Sequence, residues 1–279
     1  MKQIAWLGLG LIGLPMASRL AAAGWKVNGF DVNSERMKMA SQRGISTTAS
    51  AASALEGAHL VFTSMPSEKV FVDVLSGLRT SAIVIDTSTV GPQASAKVAA
   101  AIKSQYLRAP ISGSVGHAES GQLTTFVSGP RDAFDAATDA FKAYTRAQFW
   151  VGEGEEARYA KLAVNLMVAV TAGMMKEALA LGTKGGISWE KMLELISESV
   201  VASPVVKYKL EPVKRHDYTP TATTSLVLKD VDLMVAAAKA EGVDLPLAAV
   251  MQQLFRRAAK QGLADRDFFS VVEKDAPGC

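Results

Sequence analysis

Six residues, Gly8-Leu9-Gly10-Leu11-Ile12-Gly13, stand between a short apolar run and a helical one, and no other feature limits the fold as strongly. Residues 2–7 (KQIAWL) are mostly apolar, as a buried parallel strand is. Residues 10–24 carry a helical pattern, with Pro15 close to the first turn, where a missing backbone N–H costs least. WKVNGFD then predicts a second strand closing on Asp31. Strand, glycine turn, helix, strand and acid form the context in which a GxGxxG pattern gains meaning. Gly8 permits a tight turn, Gly10 lets backbone approach a pyrophosphate, and Gly13 allows close packing of helix on strand. The start of the helix offers N–H groups and partial positive charge to phosphates. The whole turn, with Leu9, Leu11 and Ile12, is therefore a candidate cofactor-binding segment. Asp31 would accept hydrogen bonds from ribose hydroxyls and repel a 2′-phosphate, which favours NAD over NADP.

The same opening residues imitate a secretory signal: a lysine, a short apolar run and the triplet Ala21-Ala22-Ala23. Cysteine usage argues against export. The 279 residues contain one cysteine, Cys279, so no intramolecular disulfide is possible and a reducing cytoplasm is the expectation. The apolar run from Ile4 to Ser18 falls short of the roughly 20 residues a membrane span needs, and no other stretch is expected to do better. A net charge of +3 with 20% charged residues excludes the basic signature of a nucleic-acid binder and the acidic signature of a disordered tail. A small soluble ligand is the expected partner.

The alternation continues. LVFTSM (60–65), AIVIDTS (82–88), QYLRAPIS, QLTTFVSG and AQFWVG read as strands, with helical patterns in SEKVFVDVLSGL, GPQASAKVAAAIKS and RDAFDAATDAFKAY. This order predicts an α/β domain over residues 1–152, with a parallel, doubly wound sheet covered on both faces. Its ligand belongs at the carboxyl ends of the strands, where SMPSE, DTSTVGP and APISGS fall. Residues 153–279 are expected to form an all-α domain, opening with a long helix at about 155–181 and continuing in shorter helices broken at Gly185-Gly186, Pro204, Pro220 and Pro246. From Leu162 to Met175 the long helix is apolar nearly all round, which implies burial against another domain or subunit.

On that helix Lys161 and Asn165 are four apart and share one face. A buried lysine with no acid one turn away loses its proton more readily, which suits proton transfer near neutral pH. A lysine snorkelling to solvent has the same spacing. Lys229-Asp230, in SLVLKDVDLM, reads equally as a surface ion pair.

GLGLIGLPMASRL, RAPISGS, GQLTTFVSG, AKLAVN, LVLKDVDL and LADRDFFSVV, in this order along nearly the whole chain, resemble the β-hydroxyacid dehydrogenases. That family includes 3-hydroxyisobutyrate dehydrogenase, tartronate semialdehyde reductase and the glyoxylate/succinic semialdehyde reductases. The resemblance implies a Rossmann-type N-terminal domain, a 6-phosphogluconate dehydrogenase-like helical domain, and hydride exchange between nicotinamide and a short β-hydroxy acid or its semialdehyde. It implies Lys161 as general acid/base, Asn165 as the companion that orients substrate, and Ser112, Gly113 and Ser114 as the segment that holds the substrate carboxylate. It places Lys229, with Asp230, beside nicotinamide and substrate. Met65, Pro66, Ser88 and Thr89 resemble contacts to the nicotinamide half of the cofactor.

Four departures from the family pattern are visible: Ile12, Arg19, Ser114 in place of a second glycine, and Arg108 where an aspartate is common. The last two bear on the substrate. SGSVGHAESGQLTTFVSG resembles the 3-hydroxyisobutyrate branch, whereas EEARYAKLAVNLM and SPVVKYKLEPV resemble the NADP-preferring semialdehyde reductases. Asp31 decides for NAD, with NADP as the alternative. His59, His117 and His216 lack ligand spacing, so no metal is expected, and only His117 falls near the substrate segment. The alternatives are an NADPH-dependent glyoxylate/succinic semialdehyde reductase and a non-catalytic cofactor-binding module. Retention of Lys161, Asn165 and Lys229 favours the enzyme. A helix this apolar predicts a homodimer or homotetramer.

Overall fold

The computed structural model describes residues 3–273, and Lys2 and Cys279 lie outside them. By internal contacts the chain forms two compact units, Met1–Lys161 and Leu162–Cys279.

In the first unit the elements run β1 (Gln3–Leu7), α1 (Gly13–Ala22), β2 (Lys26–Phe30), α2 (Ser34–Gln42), β3 (Ser46–Thr47), α3 (Ala51–Leu55), β4 (Leu60–Thr63), α4 (Glu68–Ser76), β5 (Ile83–Asp86) and α5 (Pro92–Ala101). They continue through β6 (Tyr106–Arg108), β7 (Ile111–Ser112), α6 (Val115–Ser120), β8 (Leu123–Ser128), α7 (Arg131–Lys142) and β9 (Thr145–Gly152) to the start of α8 (Glu156–Lys184). The sheet order is β3-β2-β1-β4-β5-β6-β8-β7, with β9 on β8.

Strand alternation divides the core between the two faces of this sheet. Ile4, Trp6, Phe62, Ile85 and Leu107 enter one apolar cluster with Leu14, Ala17 and Phe141. Ala5, Leu7, Val61 and Val84 enter the other with Phe71, Leu75 and Val98. Helices thus cover both faces, as the doubly wound reading requires. Trp6 stacks on Phe62 with ring centroids 5.0 Å apart, and its indole N–H donates to the Gly8 carbonyl at 3.0 Å, so the glycine turn is tied to the core.

The sheet is mixed, which corrects the all-parallel expectation. β6 and β7 pair antiparallel with β8. Only α6 joins β7 to β8, and a crossover that returns parallel needs about a dozen residues or more. QYLRAPIS is also two strands, split where Pro110 cannot donate. Short α2, α3 and α6, with β3, escape the periodicity reading because they turn on caps: the Asn33 side chain accepts from the Glu35 and Arg36 N–H groups, and Ser50 caps α3.

The second unit is helical. α8 runs on from residue 162, followed by α9 (Trp189–Glu198), α10 (Pro204–Lys214), α11 (Thr224–Glu241) and α12 (Pro246–Ala258). Pro204 and Pro246 open helices at their first positions rather than breaking them. Lys209 and Asp267 form a buried ion pair at 2.6 Å, joined by the Thr221 N–H and surrounded by Phe268 and Phe269. Burial pulls the Lys209 ammonium below its usual range, and Asp267 opposes that shift.

α8 is three residues longer at its end than the 181 expected, and spans about 44 Å at about 1.5 Å per residue. The expectation that no stretch reaches membrane-spanning length fails here on length and composition alone: a window of α8 has a mean hydropathy of 1.4 and is 44% buried. A helix buried within a domain passes the same test, and Ala169, Ala172 and Leu179 are fully enclosed.

Candidate active site

At the carboxyl end of β1 the backbone turns at Gly8, whose φ of +93° lies in the region that favours glycine. A Cβ there would strike the Ser64 carbonyl, and one on Gly13 would strike the Gly8 carbonyl. Both glycines are therefore required by close approach of backbone. Gly10 differs, because a Cβ built on it meets no protein atom within 4 Å. Leu11 is 67% exposed, and no side chain caps the start of α1 at Ile12. An uncapped helix start behind an open glycine suits a phosphate-bearing cofactor. Asp31 lies past β2, and its carboxylate accepts from the Leu9 N–H at 2.7 Å and the Asn33 N–H at 2.8 Å. Each carboxylate oxygen has a second lone pair, so Asp31 retains capacity for ribose hydroxyls.

Beneath the loops that follow β4 and β5 lies a buried network absent from the sequence reading. Asp86, fully buried at the end of β5, accepts from the Thr63 hydroxyl at 2.7 Å and the Ser88 hydroxyl at 2.6 Å on Oδ1. Arg158, 1% exposed in the first turn of α8, donates to Asp86 Oδ2 at 2.6 Å, the Ser88 carbonyl at 2.7 Å and the Tyr106 hydroxyl at 2.9 Å. Burial works against the Arg158 charge, but Tyr106 and Asp86 outweigh it and the net shift is upward. Burial pushes the Tyr106 hydroxyl up to about 12. The Ser88 hydroxyl also accepts from the Met65 N–H at 2.8 Å. The Ser88 side chain is thus held inside the protein, where it supports the Met65-Pro66 loop, and Pro66 is exposed. Thr89 is half-buried beside it. An acid closing the apolar strand IVID was the signal for this network, since a buried carboxylate demands a partner.

Arg108, flagged as a departure, forms an ion pair with Glu155 through Nε at 2.9 Å and is 8% exposed. Its charge is satisfied within the first unit.

Ser112 ends β7, and Gly113 follows with φ +139°. A Cβ on Gly113 would lie 2.6 Å from Leu123 Cδ2 and 3.0 Å from His117 Cβ, so His117 packs over this glycine. His117 Nδ1 accepts from the Ser114 N–H at 3.2 Å and lies 2.8 Å from the Ser114 hydroxyl. Ser114 is therefore turned to the imidazole, a partner the spacing did not reveal.

Lys161 is 8% exposed, and Asn165 follows one turn later on the same face of α8. Lys161 is not the snorkelling surface residue its spacing also allowed. Within the second unit, Asn165 Nδ2 donates to Asp230 Oδ2 at 2.8 Å, and Lys229 Nζ lies 3.1 Å from Asp230 Oδ1, off the hydrogen-bonding direction. Lys229-Asp230 is thus no isolated surface pair, because Asp230 is 8% exposed and orients Asn165.

Two family models match nearly the whole chain: the NAD binding domain of 6-phosphogluconate dehydrogenase over residues 3–152, and the NAD-binding domain of NADP-dependent 3-hydroxyisobutyrate dehydrogenase over residues 155–274. An NAD-dependent L-serine dehydrogenase of Pseudomonas aeruginosa is 32% identical, over 98% of this chain and 97% of the relative. A probable mitochondrial 3-hydroxyisobutyrate dehydrogenase of Arabidopsis thaliana is 30% identical, over 97% and 86%. The solved structure of Mycobacterium tuberculosis 3-hydroxyisobutyrate dehydrogenase with L-serine superposes with a TM-score of 0.87 at 28% identity, covering 98% of each chain. With the glycine turn and the Rossmann-type sheet already in place, these matches make the chain a member of the β-hydroxyacid dehydrogenase family, an NAD(P)-dependent enzyme acting on CH–OH groups.

Proposed function

We propose that the chain oxidises a short β-hydroxy acid of the 3-hydroxyisobutyrate kind, or reduces the matching semialdehyde, with Lys161 as general acid/base. The observation that carries this reading is the enclosed Lys161 on α8 with Asn165 one turn away, held by Asp230. NAD, when bound, supplies the hydride acceptor. Residues 8–13 and Asp31 hold its phosphates and ribose, while Met65, Pro66, Thr89, Lys229 and Asp230 serve its nicotinamide half. Lys161, neutral, removes the proton of the hydroxyl on the carbon β to the carboxylate, and returns it in the reverse direction. Asn165 orients that hydroxyl or carbonyl through its amide. Ser112 and Gly113 anchor the carboxylate, and Ser114 and Lys229 line the remainder of the substrate site.

Asp31 supports NAD as the preferred cofactor, by repulsion of a 2′-phosphate. Fluorescence titration is expected to give a lower Kd for NADH than for NADPH, and Asp31→Asn to narrow the difference by roughly tenfold, about 1.4 kcal/mol. A lower wild-type Kd for NADPH would favour the NADPH-dependent semialdehyde reductase reading. The lone cysteine supports a reducing compartment, the cytoplasm.

The exposed face of α8 supports self-association into a dimer or tetramer. Met167, Met174 and Leu181 recur at seven-residue intervals and are 72%, 57% and 78% exposed. Sedimentation at micromolar concentration is expected to show a dimer or tetramer, and Met174→Glu to shift it towards monomer. Monomer alone in the wild type would contradict this.

A further inference from the structure

We propose that His117 determines specificity at the substrate site, favouring an acid whose carbon next to the carboxylate bears a hydrogen-bond acceptor such as a hydroxyl. This rests on the reading that Ser112 and Gly113 anchor the carboxylate.

The Ser114 backbone N–H can only donate, so Nδ1 of His117 accepts at 3.2 Å and the neutral ring carries its proton on Nε2. The Ser114 hydroxyl, 2.8 Å away, donates to the same Nδ1. Nε2–H has no hydrogen-bond partner among the described side chains, and His117 is exposed. The Ser114 N–H and hydroxyl, which follow the residues that anchor the carboxylate, are turned to His117, and the ring that takes them offers a donor of its own. Its Cβ lies against the position of a Gly113 Cβ at 3.0 Å, so the imidazole is seated on the anchoring segment itself. The charged groups on the elements around α6 are Arg19 of α1, which lies against Gly121, and Arg43 past α2, which is paired with Glu119 of α6.

In a β-hydroxy acid the carbon between the carboxylate and the reacting carbon lies closest to the anchor. A hydroxyl there accepts from Nε2–H. A methyl group covers that donor and leaves it without partner or water, which costs roughly tenfold to a hundredfold in kcat/KM. An ammonium there sets donor against donor. The preferred class is therefore a 2,3-dihydroxy acid, or its 2-hydroxy-3-oxo counterpart, over 3-hydroxyisobutyrate and serine.

The test compares kcat/KM for glycerate, 3-hydroxyisobutyrate, serine and 3-hydroxypropionate with NAD in wild type, His117→Asn and His117→Gln, each checked for unchanged cofactor Kd. Asparagine places an acceptor where Nδ1 stands but lacks the outer donor, whereas glutamine carries a donor to the Nε2 position. The wild type is expected to prefer glycerate over 3-hydroxyisobutyrate by at least tenfold, with the ratio lost in His117→Asn and kept in His117→Gln. A ratio unchanged in His117→Asn, or a wild-type preference for 3-hydroxyisobutyrate or serine, overturns the assignment to His117 while leaving the dehydrogenase reading intact. Absence of wild-type turnover on every acid overturns both.

Discussion

Lys161→Ala is expected to lower kcat by about 10²- to 10⁴-fold, the range over which a positioned acid or base contributes, while the NADH dissociation constant stays within a factor of about two. The separation follows from where the residue lies. Lys161 is enclosed on α8 and distant in sequence from the Gly8–Gly13 turn and Asp31, whose geometry depends on the backbone contacts of β1, β2 and β4. Lys161→Arg distinguishes proton transfer from charge alone. A guanidinium keeps the positive charge but does not deprotonate in proteins, so this variant is expected to be as inactive as the alanine. Rapid-mixing kinetics with cofactor titration checks both. Activity retained in Lys161→Arg would reduce the lysine to an electrostatic anchor.

Arg158→Met is expected to destabilise the protein by about 3–5 kcal/mol, because it leaves the Asp86 carboxylate buried and without its cation. In a thermal scan this corresponds to a fall in Tm on the order of 10 °C for a unit of this size. Asp86 also accepts from Thr63 and Ser88, and Ser88 holds the Met65 N–H, so loss of the arginine loosens the loops at the ends of β4 and β5. NADH affinity is therefore expected to fall with stability. Adding Asp86→Asn to Arg158→Met removes the orphaned charge while an amide oxygen still accepts from the two hydroxyls. The double variant is expected to recover part of the lost stability, a coupling that a double-mutant cycle measures. Two independent, additive losses would show that Arg158 and Asp86 do not act as a pair.

Much of the fold can be read from residue patterns because its strongest elements obey a single period. β1, β4 and β5 are apolar runs bounded by glycine or polar turns, and α8 is a long stretch without proline. Elements that depend on a local cap rather than on periodicity, α2, α3 and α6, stay hidden, as does the antiparallel pairing of β8, which the short α6 connection dictates. Lys161 and Asn165 are legible as a helical face, and Gly8 and Gly13 as a turn. The partners are not: Arg158 meets Asp86 across 72 positions and Asn165 meets Asp230 across 65, separations that no local pattern encodes. The Ser88 hydroxyl donates to Asp86 only two residues away but also accepts from the Met65 N–H 23 positions away, and the second partner is hidden from any local pattern. His117, only three residues from Ser114, is close enough to be suspected, but its ring meets the Ser114 N–H and hydroxyl through Nδ1, a contact that spacing alone does not specify.

The central claim is tested most directly by following nicotinamide reduction when the purified wild-type protein meets NAD and a panel of short β-hydroxy acids: glycerate, 3-hydroxyisobutyrate, serine, 3-hydroxypropionate and 4-hydroxybutyrate as the longer control. Steady turnover on at least one β-hydroxy acid, abolished in Lys161→Ala, is the expected result. NADH binding with no oxidation of any acid, and no reduction of the corresponding semialdehydes, would contradict it and leave the chain a cofactor-binding module.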